Sequence, residues 1–514
     1  MCSLKVAIIG GGPGGLAALK VCLEASESRT KLVPTLFEAA CTLGGLWTGP
    51  GGGAEARNIV WPSLTTNFSK HTCAFSDHRW PQGVGLFPTA CEVHDYLESY
   101  AERFHLRRYT RLGHRVTQIT HAQGQKHEGS SLPDSSEDSQ IPPPLWRVCY
   151  STPGGEIEEE YFQRCIVASG VFGVPEVPRS VNVQDFLGET IHCADYDGPD
   201  RFAGKRVLVV GAAFSGADIA SEISVEAASC ISSAGSPMWV LPRTVKSEGS
   251  SSSLPLDMLL YSRKRTESTK GLSPKERNLA MNKLLESLSP PDCKGLVPCP
   301  APDSLPQVTV SDLYLPAVAS GQLKIKPRLA SLSGSTARFS DSSTLEVDSV
   351  VFCTGFRSDL QRFISKDILA AVAYNDADLL MPLALHNFTL HPDLPGMAFV
   401  GLYRGPYFAA MELQARWAAR IWTRQTLPPS DQALREGVKA ALRTRESVPR
   451  PQFPSSYVPM CDALARAAGV MPEGTAASAD ISGWLWSGPL LPAHFRLGQS
   501  EPAEVRASAE AYIR

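Results

Sequence analysis

Two short apolar segments of this chain each end in a glycine-rich turn that opens a helical pattern. In the first, residues 4–9 have the length and composition of a buried strand, and Gly10, Gly12 and Gly15 fill the three positions of a GxGxxG turn. The first glycine allows a tight turn, the second lets the backbone approach a pyrophosphate, and the third lets the helix pack closely on the strand. This combination predicts a βαβ unit that binds a dinucleotide at a helix N-terminus.

A carboxylate follows the next predicted strand. Glu38 comes directly after residues 33–37, where it can accept hydrogen bonds from ribose hydroxyls and would repel a 2′-phosphate. The first pocket therefore favours FAD over NADPH. The alternative is a glycine-rich turn in some other βα unit. The residues expected to hold FAD here are Gly10, Gly12, Pro13, Gly14, Gly15 and Glu38.

The second glycine turn departs from the pattern at one position. Residues 206–210 form another largely apolar segment, followed by Gly211 and Gly216, but Ala213 stands where the middle glycine would be. One methyl group is compatible with a pyrophosphate if the turn shifts slightly. The residues expected to contact the second nucleotide are Gly211, Ala213, Phe214, Ser215 and Gly216.

A basic and a hydroxyl side chain follow the strand predicted at residues 238–241. Arg243 and Thr244 would stand at the sugar end of the second nucleotide, where a guanidinium and a hydroxyl recognise a 2′-phosphate. The second pocket therefore favours NADPH over NADH. The alternative for Arg243 is an exposed surface charge.

Composition narrows the classes of partner. The chain has 514 residues, of which 43% are hydrophobic and 20% charged, as is typical of a soluble protein with two or three domains. A net charge of -3 gives no reason to expect nucleic acid or an anionic membrane surface as a partner. No apolar run reaches the length of a membrane span and residues 507–514 are polar, so no membrane anchor is expected.

Cysteine usage bears on location and on redox chemistry. The 13 cysteines contain no CxxC pair. This spacing argues against a disulfide framework, a zinc site and a disulfide reductase, and it predicts reduced thiols in the cytoplasm. No metal site is predicted.

A third pattern lies between the two turns. Phe186, Gly188, His192 and Tyr196 have the spacing FxGxxxHxxxY, and the chain thereby resembles the flavin-containing monooxygenases. The resemblance implies an α/β fold with two doubly wound dinucleotide-binding, Rossmann-like domains, the NADPH domain being inserted in the FAD domain. The implied limits are residues 1–185 for the first segment of the FAD domain, 186–345 for the NADPH domain and 346–514 for the second segment with C-terminal helices.

The resemblance also implies further contacts with FAD. Residues 43–47 resemble a glycine turn that lies against the cofactor, residues 63–70 resemble the segment beside the flavin ring, and residues 353–356 resemble the motif that returns the chain to the FAD domain. The expected contacts from these segments are Gly45, Leu46, Trp47, Thr66, Asn67, Thr354 and Gly355. His192 and Tyr196 are expected to support the link between the domains rather than to take part in catalysis.

Asn67 is the candidate catalytic residue. In the family that the chain resembles, NADPH reduces FAD, dioxygen adds to give a flavin hydroperoxide, and a small sulfur or nitrogen nucleophile takes one oxygen atom. The cofactor carries this chemistry, so no protein nucleophile is needed. The Asn67 amide can donate a hydrogen bond to the peroxide and accept one from a flavin N–H. The alternative for Asn67 is a turn or capping residue.

Three other functions stay open at this point. A Baeyer–Villiger monooxygenase uses the same two turns to attack ketones, an NADPH oxidase releases the peroxide, and a flavin-binding protein could act without turnover. Ala213 leaves room for the oxidase, because it could weaken the retention of NADP⁺. A homodimer and a lid-like insertion at residues 246–306 also stay open.

Overall fold

The structure of the chain is a computed structural model, which describes residues 2–25, 30–48, 59–122, 142–246, 253–291, 295–405, 407–447, 449–450, 452–453, 456–472 and 479–497. Its helices are α1 (Pro13–Glu24), α2 (Ala90–Arg103), α3 (Phe214–Glu226), α4 (Leu256–Leu260), α5 (Arg263–Ser268), α6 (Pro274–Leu288), α7 (Tyr314–Ala319), α8 (Lys366–Ala371), α9 (Phe408–Trp422), α10 (Asp431–Glu446), α11 (Tyr457–Ala468) and α12 (Ala479–Ser487). Its strands are β1 (Cys2–Ile9), β2 (Thr30–Phe37), β3 (Thr110–Arg111), β4 (Arg115–His121), β5 (Trp146–Ser151), β6 (Ile157–Phe162), β7 (Arg164–Val167), β8 (Val174–Pro175), β9 (Glu189–His192), β10 (Arg206–Val210), β11 (Ser229–Ser233), β12 (Trp239–Leu241), β13 (Thr244–Lys246), β14 (Ser253–Pro255), β15 (Val308–Val310), β16 (Leu323–Lys326), β17 (Leu329–Ser333), β18 (Thr336–Phe339), β19 (Thr344–Glu346), β20 (Ser349–Phe352), β21 (Phe356–Arg357) and β22 (Met397–Phe399).

Two parallel sheets organise these elements. The first has the strand order β22-β7-β1-β2-β3 and the second has the order β16-β11-β10-β20-β9. In each sheet the strand before the glycine turn pairs with the strand after the first helix, Ile9 with Phe37 and Val210 with Ser233. Each turn therefore belongs to a βαβ unit, and the predicted α/β class is confirmed.

Glycines, which have no side chain, allow the strand and the helix to lie close together in both units. A Cβ added to Gly15 would lie 1.7 Å from Gly10 O, and one added to Gly216 would lie 1.9 Å from Gly211 O. Gly10 and Gly211 also have φ values of 107° and 101°, which other residues rarely adopt. The first and third glycines of each turn are therefore needed for α1 and α3 to begin directly beside their strands.

The second strand of the second unit differs from the prediction. The sequence predicts this strand at residues 238–241, but the strand that pairs with β10 is β11, Ser229–Ser233. β12, Trp239–Leu241, pairs with β15 in a separate two-stranded sheet. The sugar end of the second unit therefore follows Ser233 and not Leu241.

The chain crosses between the two sheets twice, through a short antiparallel ribbon. β8 on the outward crossing pairs with β21 on the return, Val174 lying opposite Arg357. β20, Ser349–Phe352, still belongs to the second sheet, where it pairs with β10. The second unit therefore extends past the boundary predicted at residue 345, while the other domain limits stay predictions.

A buried ionic cluster joins α1 and α9 to the C-terminal part of the described chain. Glu412 on α9 accepts hydrogen bonds from Ser76 Oγ at 2.6 Å and from Arg496 Nη2 at 3.1 Å. Arg496 also pairs with Asp77 at 2.7 Å, and Asp77 pairs with Lys20 of α1. Opposite charges in contact offset the cost of burying each one, so removing a single member leaves an uncompensated charge.

Two predictions, the insertion at residues 246–306 and the absence of a membrane anchor, concern segments that the structure describes only in part. Helices α4, α5 and α6 come from the region predicted as an insertion, in which residues 247–252 and 292–294 lie outside the description. The same holds for residues 507–514, which bear on the expected absence of an anchor. Among the helices that are described, none combines the length and apolarity needed to cross a membrane.

Gly15→Ala should destabilise the fold, because its methyl group would enter the 1.7 Å gap to Gly10 O. Overpacking of this kind costs about 1 to 3 kcal/mol of unfolding free energy. Urea unfolding followed by tryptophan fluorescence measures the change. Gly154→Ala is the matched control, since a Cβ at Gly154 meets its nearest atom only at 3.6 Å. Equal stability of the two variants would contradict this account of the turn.

Candidate functional site

A cavity of about 490 Å³ lies at the carboxyl ends of the strands in the first sheet. The residues that follow β1, β2 and β7 line it, and this edge is where open α/β sheets bind their ligands. The predicted contact residues that line the cavity are Gly10, Gly12, Pro13, Gly14, Glu38, Gly45, Leu46, Trp47, Thr66, Asn67 and Phe214. The structure thus brings together segments that are far apart in the sequence.

Bare backbone forms the wall of the cavity at the N-terminus of α1. Gly12 precedes Pro13, the first residue of that helix. A Cβ added to Gly45 would lie 2.9 Å from Gly12 Cα, and Gly45 has a φ of 61°. The predicted turn at Gly45 therefore packs main chain against main chain on the first glycine turn. The unpaired N–H groups of a helix N-terminus are suited to a pyrophosphate.

Glu38 is held in place beside this turn. Its two carboxylate oxygens accept hydrogen bonds from Gly11 N at 2.5 Å and from Ala40 N at 2.7 Å. Burial raises the pKa of Glu38, and the N–H groups of Ala40 and Gly11 oppose that shift. The oxygens retain further lone pairs that ribose hydroxyls could use. The position therefore fits the predicted ribose contact.

Asn67 carries a buried oxygen that the protein leaves unpaired. Its Oδ1 has no hydrogen-bond partner among the described residues. The residues around it are fixed, because Thr66 N donates to Pro88 O at 2.8 Å and Ser69 N donates to Asp257 Oδ2 at 3.1 Å. A buried acceptor without a donor costs about 1 to 3 kcal/mol. Asn67 lines the cavity, so an N–H donor on a ligand bound there, as a flavin ring provides, could satisfy this oxygen.

The sequence predicts that Arg243 contacts the sugar end of a nucleotide, but in the structure its guanidinium is bonded to protein acceptors. Its side chain is buried, with Nη2 3.2 Å from Asp218 Oδ2, Nη1 3.2 Å from Asp312 Oδ2, and Nε donating to Thr66 O at 3.1 Å. Burial raises the pKa of Asp218, and the charge of Arg243 opposes that shift. Protein acceptors engage this guanidinium, so Arg243 joins the segment that carries Asn67 to the second unit. The geometry gives its predicted contact with a 2′-phosphate no support.

Three other predicted contacts lie outside the lining of the cavity. Thr244 is exposed on β13 and pairs with Pro255 of β14. Thr354 donates its hydroxyl to Glu176 O, and Gly355 O accepts a hydrogen bond from Glu176 N at 2.9 Å. Thr354 and Gly355 therefore belong to the ribbon between the sheets, and their contact with FAD stays a prediction.

His192 and Tyr196 also support this connection. Ala194 N donates to His192 Nδ1 at 3.1 Å, so the ring proton is on Nε2, which donates to Gly355 O at 2.9 Å. Tyr196 donates its hydroxyl to Glu222 of α3 at 2.9 Å. These bonds agree with the linking role that the sequence analysis favours for both residues.

The second glycine turn has the backbone shape of the first. Ala213 has φ −73° and ψ −172°, against φ −77° and ψ −174° for Gly12. The methyl group of Ala213 is exposed and causes no backbone strain, and the slight shift of the turn for a pyrophosphate stays a prediction. Phe214, the first residue of α3, lines the same cavity as Asn67. The remaining predicted contacts belong to the two glycine turns but do not line the cavity: Gly15 in the first, and Gly211, Ala213, Ser215 and Gly216 in the second.

Sequence reasoning missed three arginines that line the cavity, Arg115, Arg362 and Arg404. Arg404 has its guanidinium carbon 5.9 Å from the centre of the Phe453 ring, and burial lowers its pKa. Burial also lowers the pKa of Arg115, and the charge of Glu38 opposes that shift. Arg404 comes shortly after β22 of the first sheet, and the apolar residues of that strand are the sequence signal that could have indicated it. No local pattern marks Arg115.

Comparison with known proteins places this site in a family. A family model described as flavin-binding monooxygenase-like matches residues 3–507. Flavin-containing monooxygenase 5 of Oryctolagus cuniculus is 30% identical over 518 residues, which cover 97% of this chain and 89% of that protein. The N-oxide-forming dimethylaniline monooxygenase 2 of Cavia porcellus is 30% identical over 451 residues, covering 84% and 76%.

Solved structures show the same fold. S-allyl-L-cysteine S-oxygenase from Allium sativum has a TM-score of 0.62 at 18% identity, with 99% of this chain and 98% of that chain covered. Cyclohexanone monooxygenase in an open form has a TM-score of 0.62 at 16% identity, with 91% and 98% covered. The predicted architecture of two dinucleotide-binding domains is therefore confirmed.

Two nucleotide-binding units that share one cavity define a flavoprotein oxidoreductase, and the comparisons make the class specific. The chain belongs to the flavin-binding monooxygenase-like family. It is an NADPH-dependent flavin monooxygenase, and the predicted family, enzyme class and cofactors, FAD and NADPH, are confirmed. The bare turn at Gly12, the fixed carboxylate of Glu38 and the unpaired oxygen of Asn67 fit FAD. Within the described residues, no cluster of side chains could hold a metal ion.

Arg243→Met should lower the unfolding free energy by about 3 to 5 kcal/mol, because it leaves Asp218 buried without its cation. Urea unfolding measures the loss, with Arg443→Met at an exposed position as the control. The preference for NADPH over NADH should not change. A narrowed preference with unchanged stability would instead restore the 2′-phosphate role to Arg243.

Proposed function

We propose that this enzyme transfers one oxygen atom from O₂ to a sulfur or nitrogen atom of a small nucleophilic substrate. The observation that carries the proposal is the unpaired Oδ1 of Asn67, a residue that lines a cavity extending from the first glycine turn to Phe214 of the second unit. Both nucleotide-binding units thus contribute a residue of their glycine turn or of the helix after it to the same cavity. When bound there, FAD reduced by NADPH supplies the activation of dioxygen.

The chain's own residues bind and orient in this proposal. The turn at Gly12 receives the FAD pyrophosphate, and Glu38 accepts hydrogen bonds from its ribose. Asn67 Oδ1 accepts a hydrogen bond from the flavin ring, which leaves its amide N–H groups to donate towards the reacting oxygen. A neutral amide stabilises that oxygen without supplying the acid that would break the oxygenating species down.

The apolar part of the lining is suited to a neutral or weakly polar substrate. Apolar side chains at the cavity include Leu64, Phe68, Phe408 and Met411. They limit the entry of water, which protects a reactive oxygen species from hydrolysis. Thioethers and tertiary amines combine such a surface with a soft lone pair, so they are the proposed substrate class.

A substrate panel tests the proposal. The purified enzyme should couple consumption of NADPH and O₂ to oxygenation of a thioether or a tertiary amine, with little hydrogen peroxide released. Conversion of a cyclic ketone alone would replace the proposal with Baeyer–Villiger chemistry. Release of one peroxide per NADPH with every compound would show an oxidase instead.

Asn67→Leu tests the residue that orients the oxygen. The variant should still be reduced by NADPH, while peroxide release replaces most product formation, because the amide donor is lost. Losing one oxygen-stabilising donor costs about 100- to 1,000-fold in turnover in comparable sites. Stopped-flow flavin absorbance and product yield measure the two steps separately. Asn182→Leu, at an exposed position, is the control, and full coupling in Asn67→Leu would remove Asn67 from the mechanism.

Location and assembly complete the proposal. The cysteines of the described chain are free, which supports a reducing compartment, and we propose the cytoplasm. A homodimer stays a prediction. Size-exclusion chromatography with light scattering measures the oligomeric state directly.

A further inference from the structure

The two βαβ units can be compared residue by residue at the sugar end. Gly10 N donates to Phe37 O at 2.9 Å in the first unit, and Gly211 N donates to Ser233 O at 3.0 Å in the second. The residue after that acceptor is Glu38 in the first unit. In the second unit the same backbone position is Ala234, which therefore stands where the adenosine ribose of a second nucleotide would be reached.

Ala234 carries no charge with which to read a 2′-phosphate. It lacks the carboxylate that would repel such a group, and residues 234–237 contain neither lysine nor arginine. A protein that prefers NADPH needs a cation at this edge. The cation must therefore come from another segment of the chain.

Arg328 is the cation that the fold brings to this edge. It follows β16, the strand next to β11 in the second sheet. Its Nη2 donates to Gly235 O at 3.2 Å, and a Cβ added to Gly235 would lie 3.2 Å from Nη2 and 3.3 Å from Cζ. The guanidinium therefore lies against the residue that follows Ala234, where the absence of a side chain gives it room.

The guanidinium of Arg328 has donors to spare. The side chain is exposed, and among the described residues no carboxylate lies within ion-pair distance of it. One carbonyl uses one of its N–H donors, and a planar guanidinium can present the others to a phosphate in bidentate fashion. Arg243 differs, since two carboxylates and a carbonyl already engage it.

Lys326 is the other cation near the end of β16. Its Nζ donates to Ser343 Oγ at 3.1 Å and lies 5.9 Å from the centre of the Phe339 ring. These contacts turn its ammonium group towards β18 and the turn after it, while the Lys326 carbonyl pairs with Ala234 N. Arg328 is therefore the better candidate.

We propose that Arg328 binds the 2′-phosphate of NADPH and sets the preference of this enzyme for NADPH over NADH. The inference rests on the proposed function only in placing the second nucleotide at the Gly211 turn. Arg328, which follows β16, thereby takes the role that the sequence analysis assigned to Arg243. The alternative is that Arg328 only stabilises its loop through the hydrogen bond to Gly235 O. In that role Arg328 would not discriminate between NADPH and NADH.

Direct ligand binding tests the proposal without turnover. Adenosine 2′,5′-bisphosphate and 5′-AMP are titrated calorimetrically into the FAD-loaded full-length enzyme, and the parent should bind the bisphosphate more tightly. Arg328→Ala should weaken binding of the bisphosphate by about ten- to a hundredfold, as expected for the loss of a hydrogen bond to a charged group, and leave 5′-AMP unchanged. Arg328→Lys should recover part of the loss, because it restores the charge without the fork.

The control and the contrary results are equally specific. Arg443→Ala removes an exposed arginine on α10 and should leave both affinities unchanged. If Arg328→Ala left the ratio of the two affinities unaltered, whether both stayed the same or both weakened equally, the proposal would be overturned. A parent enzyme that prefers the bisphosphate yet oxygenates no thioether or amine would refute the proposed function and leave the role of Arg328 intact.

Discussion

The buried guanidinium of Arg243 joins segments of the chain that are far apart in the sequence. It contacts Thr66 O beside Asn67, Asp218 on α3 and Asp312 after β15. A charge in this position is tolerable only because carboxylates surround it. These contacts therefore link Thr66, which lines the cavity, to the second unit, and the orientation of Asn67 relative to the second glycine turn depends on them.

The parts that the sequence predicts well are local. Gly10, Gly12, Gly15 and Glu38 lie within one βαβ unit, so their spacing alone indicates a strand, a turn and a helix. Prediction from local pattern fails in the second unit, because the sequence of β11 is largely polar. Its Ser232 and Ser233 are buried, yet Tyr314 donates to the first hydroxyl at 2.8 Å and the second donates to Pro327 O at 2.9 Å. Satisfied hydroxyls can occupy a core strand, and hydrophobic pattern then favours the wrong segment.

The sequence predicts site residues that belong to a continuous motif, but it does not predict contacts between residues that are far apart in the sequence. Resemblance indicated Asn67, but the bond from Ser69 N to Asp257 spans 188 residues and that from Arg243 to Thr66 spans 177. No local pattern encodes such pairs. The same limit explains Arg328, since only the order of strands in the second sheet brings it next to Ala234 and Gly235.

The ribbon of β8 and β21 has a mechanical consequence. Both crossings of the chain lie side by side, and the His192 bond to Gly355 O ties the incoming strand to the returning one. The start and the end of the second unit are therefore anchored at one place, and the contacts of Arg243 with Thr66 and Asp218 add a separate attachment on the side of α3. Together these attachments fix the distance between the first turn of α3 and the segment that carries Asn67, so the space left for a ligand between them is set before it binds.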